Sequence, residues 1–270
     1  MKQLSANPKS RYHIEALERG LDLLSLFSME NPALTLTQIV EKLQMNKSTV
    51  FRVLSTLENQ GYLDQDSTNH TYRPGLKTLQ LGFTAINSLD VRQVAHPYLE
   101  KLSQDLDKTV SLGILDGFDT IYIDRVRNQN IVGVVLGVGS RLPAHCTALG
   151  KVLLAGLNPE SLEKLLEDRT LKSFTPMTIT SHPDLLVELE KIRLQEYSLD
   201  DEELSIGLRA VAAPIHDSAG GILAAVNVTG TTQELSYKLL ENTVIPALLN
   251  LTKQISTAYG YVKFQPKGER

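Results

Sequence analysis

TLTQIVEKLQMNKSTVFRVLSTLENQGYLDQDSTNHTYRPG, residues 35–75, decides the architecture of the N-terminal part of this chain. Leu36, Ile39, Val40 and Leu43 recur at helical spacing, and Thr35 with Gln38 has the form of a capping box. A three-residue turn follows, in which Asn46 is placed to cap a second helix. Val50, Val53, Leu54 and Leu57 form the apolar stripe of that helix, and Gly61 ends it. The stripe leaves Lys47, Ser48, Thr49, Arg52, Ser55 and Thr56 on the outer face. These side chains are small, hydrogen-bonding or cationic, as a helix entering a major groove requires.

Apolar periodicity alone would suit any helical hairpin with a solvated face. The segment that follows is more specific. Tyr62-Leu63 and His70–Arg73 are β-prone, and Asp64–Asn69 is rich in turn formers, so a hairpin is predicted. Upstream, Ile14, Leu17, Leu21 and Leu24, with Phe27, predict a helix that closes a small core. Helix, helix, turn, helix and hairpin together describe a winged helix-turn-helix that binds double-stranded DNA. Thr35, Lys47, Ser48, Thr49, Arg52, Ser55 and Arg73 are the candidate DNA contacts.

Charge bears on how such a head would bind. Residues 1–75 carry eight basic and eight acidic side chains, and the whole chain has a formal net charge of −4. A monomeric, non-specific DNA coater would be strongly basic. Affinity is therefore expected from two or more heads on one operator, and so from a homo-oligomer.

At 270 residues, 42% of them hydrophobic, the chain suits one small and one larger globular domain. The boundaries read as residues 1–74 for the DNA-binding domain, 75–90 for a linker helix, 91–262 for a second domain and 263–270 for a polar tail. Leu76, Leu79, Phe83 and Ile86 give the linker an apolar stripe that needs a partner. No apolar run approaches a membrane span and no signal-peptide core opens the chain. With its single cysteine, the chain is expected in the cytoplasm.

Beyond residue 90, helical and strand-like segments alternate without regular βαβ order. A helix over 91–108 is predicted to break or kink at Pro97, and IVGVVLGVG (131–139) reads as a strand. Residues 208–230 form a hairpin across Asp217–Gly221, and a long helix follows with Pro246 inside it. This pattern predicts an α+β domain with a mainly antiparallel sheet.

One constellation in this domain suits a ligand. GSRLPAHCTALGK (139–151) runs through Pro143 into a helix capped by Thr147. The first-turn amides of Ala148, Leu149 and Gly150 would favour a carboxylate or phosphate. Asn227 and Thr229, two apart on the strand AAVNVTG, share one face of an otherwise apolar strand and need polar partners. The run Asp200-Asp201-Glu202-Glu203 reads as a solvated turn rather than a metal site or catalytic pair. His145 and Cys146, adjacent on an extended segment, make a poor catalytic dyad. No catalytic, cofactor or metal motif is present, so no cofactor, metal or enzymatic activity is expected.

Together, ALERGLDLLSLF, LTLTQIVEKLQMNKSTVFRVLSTLENQGYL, YRPGLKTLQLG, VGSRLPAHCTALGKVLLA, DDEELSIGLRAVAAPIHD and ILAAVNVTG resemble the IclR family of transcriptional regulators in order and spacing, over residues 14–262. The resemblance implies a winged helix, a linker helix and a C-terminal GAF-like domain that binds a small organic effector. It also implies dimers, or dimers of dimers, on pseudo-palindromic operators. Family pocket positions fall on Val134, Ala148, Leu149, Asp200, Ala210, Asn227 and Thr229. Ala210 stands where a cysteine can occur, and Asn227 and Thr229 where serines can. The wording of LPAHCTALGKVLLA and AAVNVTG is similar to the branch that senses aromatic acids such as protocatechuate or 4-hydroxybenzoate. On this reading the effector is a carboxylic acid held at 147–150, and Asp200 accepts from a ligand hydroxyl. Two other functions are open to the sequence. One is an enzyme with a DNA-binding appendage, using His145, Cys146 or the 200–203 carboxylates; the other is an architectural DNA-binding protein without an effector.

Overall fold

A computed structural model describes residues 14–28, 31–87, 89–126 and 136–261. The chain forms two compact units, residues 1–86 and 87–270.

In the first unit, helix α1 (Glu15–Leu24) precedes a two-residue strand β1 (Leu34–Thr35), α2 (Leu36–Leu43) and α3 (Lys47–Asn59). Strands β2 (Leu63–Gln65) and β3 (Thr71–Pro74) follow, then α4 (Leu76–Asn87). The capping box is present: Gln38 Oε1 accepts from the Thr35 amide at 2.8 Å, and Thr35 Oγ1 from the Gln38 amide at 3.3 Å. Asn46 Oδ1 caps α3 by accepting from the Thr49 amide at 2.8 Å. Leu23, Leu34, Ile39, Val50, Leu54, Leu63 and Tyr72 are the buried core.

Two features depart from the sequence reading. The wing is a three-stranded antiparallel sheet of order β1-β3-β2, because Leu34 and Thr35 pair with Tyr72 and Thr71. In α1, Leu23 enters the core, with Leu24 and Phe27 packed against it, whereas Ile14, Leu17 and Leu21 are more than half exposed. Leu17 and Leu21 of that stripe, with Leu24, Val53, Leu57, Tyr62 and Leu81, line a mostly apolar groove of about 560 Å³. On α4, Leu76, Leu79 and Leu81 are exposed. The Phe83 and Ile86 side chains lie outside the described residues.

The second unit carries a six-stranded antiparallel sheet of order β6-β5-β4-β9-β8-β7. Its strands are β4 (Thr109–Asp116), β5 (Asp119–Val126), β6 (Arg141–Pro143), β7 (Ser198–Asp201), β8 (Leu208–His216) and β9 (Ile222–Thr231). One face packs on α5 (Asp90–Leu106) and α10 (Ile245–Ala258), through Leu99, Val110, Val228, Leu248 and Ile255 among others. The other packs on α6 (Ala148–Ala155) and α8 (His182–Gln195), through Tyr122, Leu149, Leu189 and Ala225 among others, with α7 (Pro159–Leu166) beside them. Both proline expectations change in detail. α5 is assigned without a break through Pro97. The C-terminal helix is divided: α9 (Tyr237–Leu239) is followed by a π turn (Leu240–Val244), with Pro246 in the first turn of α10. A proline lacks the amide for an i→i−4 bond, and a helix start or widened turn tolerates that loss. The predicted strand at 131–139 falls largely outside the described residues.

Candidate functional site

The candidate DNA-reading surface comprises α3 and the wing. Ser48, Arg52, Ser55 and Asn59 recur at i, i+4, i+7 and i+11, so they form one row opposite buried Val50 and Leu54. Lys47, Ser48 and Arg52 are exposed and Ser55 is half-buried. The Ser48 hydroxyl donates to Asn46 Oδ1 at 2.9 Å, which ties it to the cap. Thr49 lines the groove beside α1, toward which Arg52 also leans. Arg73 is exposed on β3, opposite Asp64 of β2. Thr35 caps α2 and ends β1, a structural duty that fixes its hydroxyl. Phe51, 54% exposed on the same helix, was missed by a reading that sought polar groups alone. Asp66 shapes the wing tip by accepting from the Thr68 amide at 2.7 Å. That bond is the main cause that holds its carboxyl below the ordinary value.

The second site is a cavity of about 270 Å³ between the α6 end of the sheet and the β7–β8 loop. Thr147, Ala148, Asp200, Ala210, Asn227 and Thr229 all line it. The sheet register explains this assembly. Asp200, Ala210, Thr229 and Thr109 form one cross-strand row, and Ser198, Ala212, Asn227, Ser111 and Arg125 form the next. Directly paired residues project from the same face, so polar residues far apart in sequence meet on one surface. Leu149 and Gly150 are buried but do not line the cavity. The Leu149 side chain packs toward Gly113, and the Gly150 amide donates to Thr147 Oγ1 at 3.1 Å. The helix start therefore leaves two first-turn amides rather than three, and of these two residues Ala148 lines the cavity while Leu149 does not. Val134 lies outside the described residues.

Sequence reasoning missed the rest of the lining: Tyr122, Arg125 and Leu136 on one side, Leu204, Ser205, Ile206 and Gly207 in the β7–β8 loop with Leu208 at the start of β8, and Gly230 and Thr231 at the end of β9. The alternation of TIYIDRV could have placed Tyr122 and Arg125 on alternating faces. A register shift between Leu112 and Gly113 puts both on the cavity side.

Polar groups inside are incompletely satisfied. Asn227, 3% exposed, donates from Nδ2 to Thr229 Oγ1 at 2.9 Å, while its Oδ1 has no partner among the described residues. Reversing the amide would only exchange which of its two polar atoms is unpaired. Ser111 Oγ, directly across from Asn227, is likewise buried without a partner. Native interiors rarely leave such atoms orphaned.

The acidic run is not the solvated turn expected. Asp200 is 2% exposed and Glu203 7%. Asp200 Oδ1 accepts from the Glu203 amide at 2.9 Å and the Leu204 amide at 3.4 Å. Burial, then the nearby Glu203 charge, pushes its carboxyl up to about 7. Lys151 explains the folding of this turn. It is 1% exposed within the apolar helix α6, and its Nζ donates to the Leu199 carbonyl at 2.7 Å and to the Glu203 carboxylate. A buried ammonium needs an anion, so α6 draws the turn inward. Thr175 and Thr178 donate to the Glu202 and Glu203 carbonyls, each at 2.6 Å. Asp201 accepts from Arg209 at 2.7 Å and from the Tyr237 hydroxyl.

His145 and Cys146 are turned into the core. His145 stacks on Phe118 and its Nε2 lies 3.0 Å from the Lys172 carbonyl. Burial pushes the Cys146 thiol up to about 12, which keeps it protonated and a poor nucleophile. Among the described residues no cluster of His, Cys, Asp or Glu has the geometry to hold a metal ion. No described helix is long and apolar enough to cross a membrane.

A DNA-reading winged helix joined to a cavity-bearing α+β domain defines a ligand-responsive, DNA-binding transcriptional regulator. Residues 16–67 match the IclR helix-turn-helix domain, and residues 83–257 match the bacterial transcriptional regulator IclR C-terminal domain, so the chain belongs to the IclR family. It is 37% identical to the HTH-type transcriptional regulator XynR of Escherichia coli K12, over 85% of this chain and 91% of that protein. It is 33% identical to the Pca regulon regulatory protein of Pseudomonas putida, over 89% and 82% respectively. A crystal structure of an IclR homolog from Microbacterium hydrocarbonoxydans, complexed with 4-hydroxybenzoate, superposes with a TM-score of 0.77 at 24% identity, covering 90% of this chain and 98% of that one.

Proposed function

We propose that this regulator senses a small carboxylic acid in the cavity between α6 and the β7–β8 loop, and that the acid sets its affinity for a metabolic operator. The observation that carries the reading is the unpaired Oδ1 of Asn227, buried in a cavity that the start of α6 also faces. A carboxylate would accept from the Ala148 amide with the favourable end of the helix dipole. Asn227 and Thr229 would hold its other polar atoms. Asp200, protonated below about pH 7, would donate to an acid; once ionised it would accept from a ligand hydroxyl. The 4-hydroxybenzoate bound to the Microbacterium homolog and the Pca regulon relative support an aromatic member of this class.

On the same reading, residues 1–74 read DNA, 75–90 link and 91–262 sense, in the cytoplasm and without turnover. Lys47, Ser48, Arg52 and Ser55 face base edges while Arg73 meets the phosphate backbone. The exposed Leu76, Leu79 and Leu81 of α4 meet a second copy, which sets two recognition helices about 34 Å apart or a multiple of it. The acid acts by preferring one of two arrangements of that dimer. Selection from random duplexes by the full chain tests the DNA part: paired half-sites one or more helical turns apart are expected. Enrichment of no sequence would favour an architectural protein and overturn the reading.

A further inference from the structure

Phe51 lies in the N-terminal half of α3 and is 54% exposed. Val50 and Leu54 enter the core from another side of the same helix, and Val53 and Leu57 pack against that core. The ring does not belong to the apolar groove beside α1, to which α3 contributes Thr49, Arg52, Val53, Thr56 and Leu57 from its other flank. Lys47 and Ser48 lie four and three residues before Phe51, and Ser55 four residues after it. At helical spacing these are its surface neighbours, so the ring stands between a cation and two hydroxyls. Single exposed apolar side chains are ordinary on a protein surface. This one is set apart by its neighbours, which are the groups assigned to base edges above. It is also set apart by its place, since a recognition helix contacts bases through its N-terminal residues.

We infer that Phe51 is a specificity-determining residue that packs on the 5-methyl group of a thymine in each half-site. The inference rests on the reading of α3 as the helix that enters the major groove. A phenyl ring offers no conventional donor or acceptor, so the polar edges of guanine, cytosine and adenine give it no hydrogen-bonded partner. Thymine alone among the four bases carries an apolar group in the major groove, its 5-methyl. The ring therefore selects T·A over the other pairs at one position of each half-site, beside the bases that Lys47, Ser48 and Ser55 face. Taking one methyl group out of water against the ring corresponds to about a fourfold gain in affinity per half-site.

The probe is the duplex that the full chain itself enriches from a random pool. Each thymine of its half-sites is replaced in turn by deoxyuridine, which removes the methyl group and keeps every hydrogen-bonding edge. At one thymine per half-site the wild-type chain is expected to bind the uracil duplex about threefold or more weakly, by fluorescence anisotropy. Phe51→Ala is expected to bind the thymine and uracil duplexes alike, at unchanged oligomeric mass. Phe51→Gln, a good helix former without an apolar ring, is held to the same outcome and carries the comparison should Phe51→Ala not fold. An enriched site in which no thymine is sensitive to uracil would overturn the inference and leave α3 in the groove. A uracil penalty that survives intact in both variants would assign the methyl contact to another residue and overturn it as well. A lower oligomeric mass with equal losses on every duplex would place the ring between two copies of the chain, again overturning it. Enrichment of no sequence would remove both the inference and the reading beneath it.

Discussion

Replacing Asp200 by asparagine tests the electrostatics of the cavity without emptying it. Asparagine keeps the shape and an Oδ1 that can accept from the Glu203 and Leu204 amides, but it never carries charge. In the folded chain burial holds the Asp200 proton to about pH 7; in the unfolded chain it leaves near the ordinary value of 3.8. Below both values the residue is neutral in both states and contributes no pH dependence. Between them the unfolded chain is favoured by ionisation, so stability falls as pH rises. Above about 7 the whole cost is present. A shift from 3.8 to about 7, at about 1.4 kcal/mol per unit, sets a ceiling of ~4 kcal/mol. Part of this is offset because a neutral amide accepts more weakly than a carboxylate. Asp200→Asn is therefore expected to stabilise the C-terminal unit by about 1–3 kcal/mol at pH 8.5, and by little at pH 5. The chain has no tryptophan, so circular dichroism under urea is the assay. A variant no more stable than wild type at pH 8.5, or one offset equally at both pH values, would refute the reasoning.

Arg52→Ala and Ser48→Ala should each weaken operator binding by about 1–3 kcal/mol if they read bases, measured by fluorescence anisotropy. Arg73→Ala should weaken all sequences alike and flatten the salt dependence; unchanged operator affinity in a folded Arg52→Ala would show that α3 is misplaced on the DNA. Leu79→Asp places a charge on the exposed α4 stripe, so sedimentation should show a looser oligomer, whereas wild-type mass would deny that stripe its partner. Gly150→Ala sets a Cβ 2.2 Å from Ala144 Cα and should cost about 1–3 kcal/mol or more, and an unchanged melting temperature would contradict the close approach of α6 to the turn before it.

Much of the winged helix was legible because its determinants are local. The Thr35–Gln38 capping box, the Asn46 cap and the apolar stripes each act within a few residues. Strand β1 was not, since two residues carry no periodicity. The orientation of α1 is not legible, because periodicity sends an apolar stripe to the core while Ile14, Leu17 and Leu21 stand exposed in the fold. In the second unit, Thr147, Asn227 and Thr229 were found from capping and alternation. Arg125 and Tyr122 were not, because their place depends on a bulge and on pairing with strands distant in sequence. The acidic run misled because four charges in a row resemble a solvated turn. The contrary signal was present in Lys151: a lone lysine in ALGKVLLA has no polar face to occupy and must be buried with an anion.

The central claim is that a carboxylic acid binds at the start of α6, beside Asn227 and Thr229. Thermal unfolding of the full chain against a panel of small mono- and dicarboxylic acids, each paired with its uncharged amide, tests it most directly. At about 100 times its dissociation constant an acid should stabilise the C-terminal unit by roughly 2.7 kcal/mol. The account predicts such a shift for at least one acid, its absence for the matching amide, and its loss or sharp reduction in Asn227→Ala and Thr229→Val, whose binding should weaken by about 1–3 kcal/mol. Equal shifts from acid and amide, or an undiminished response in both variants despite lowered melting temperatures, would contradict it.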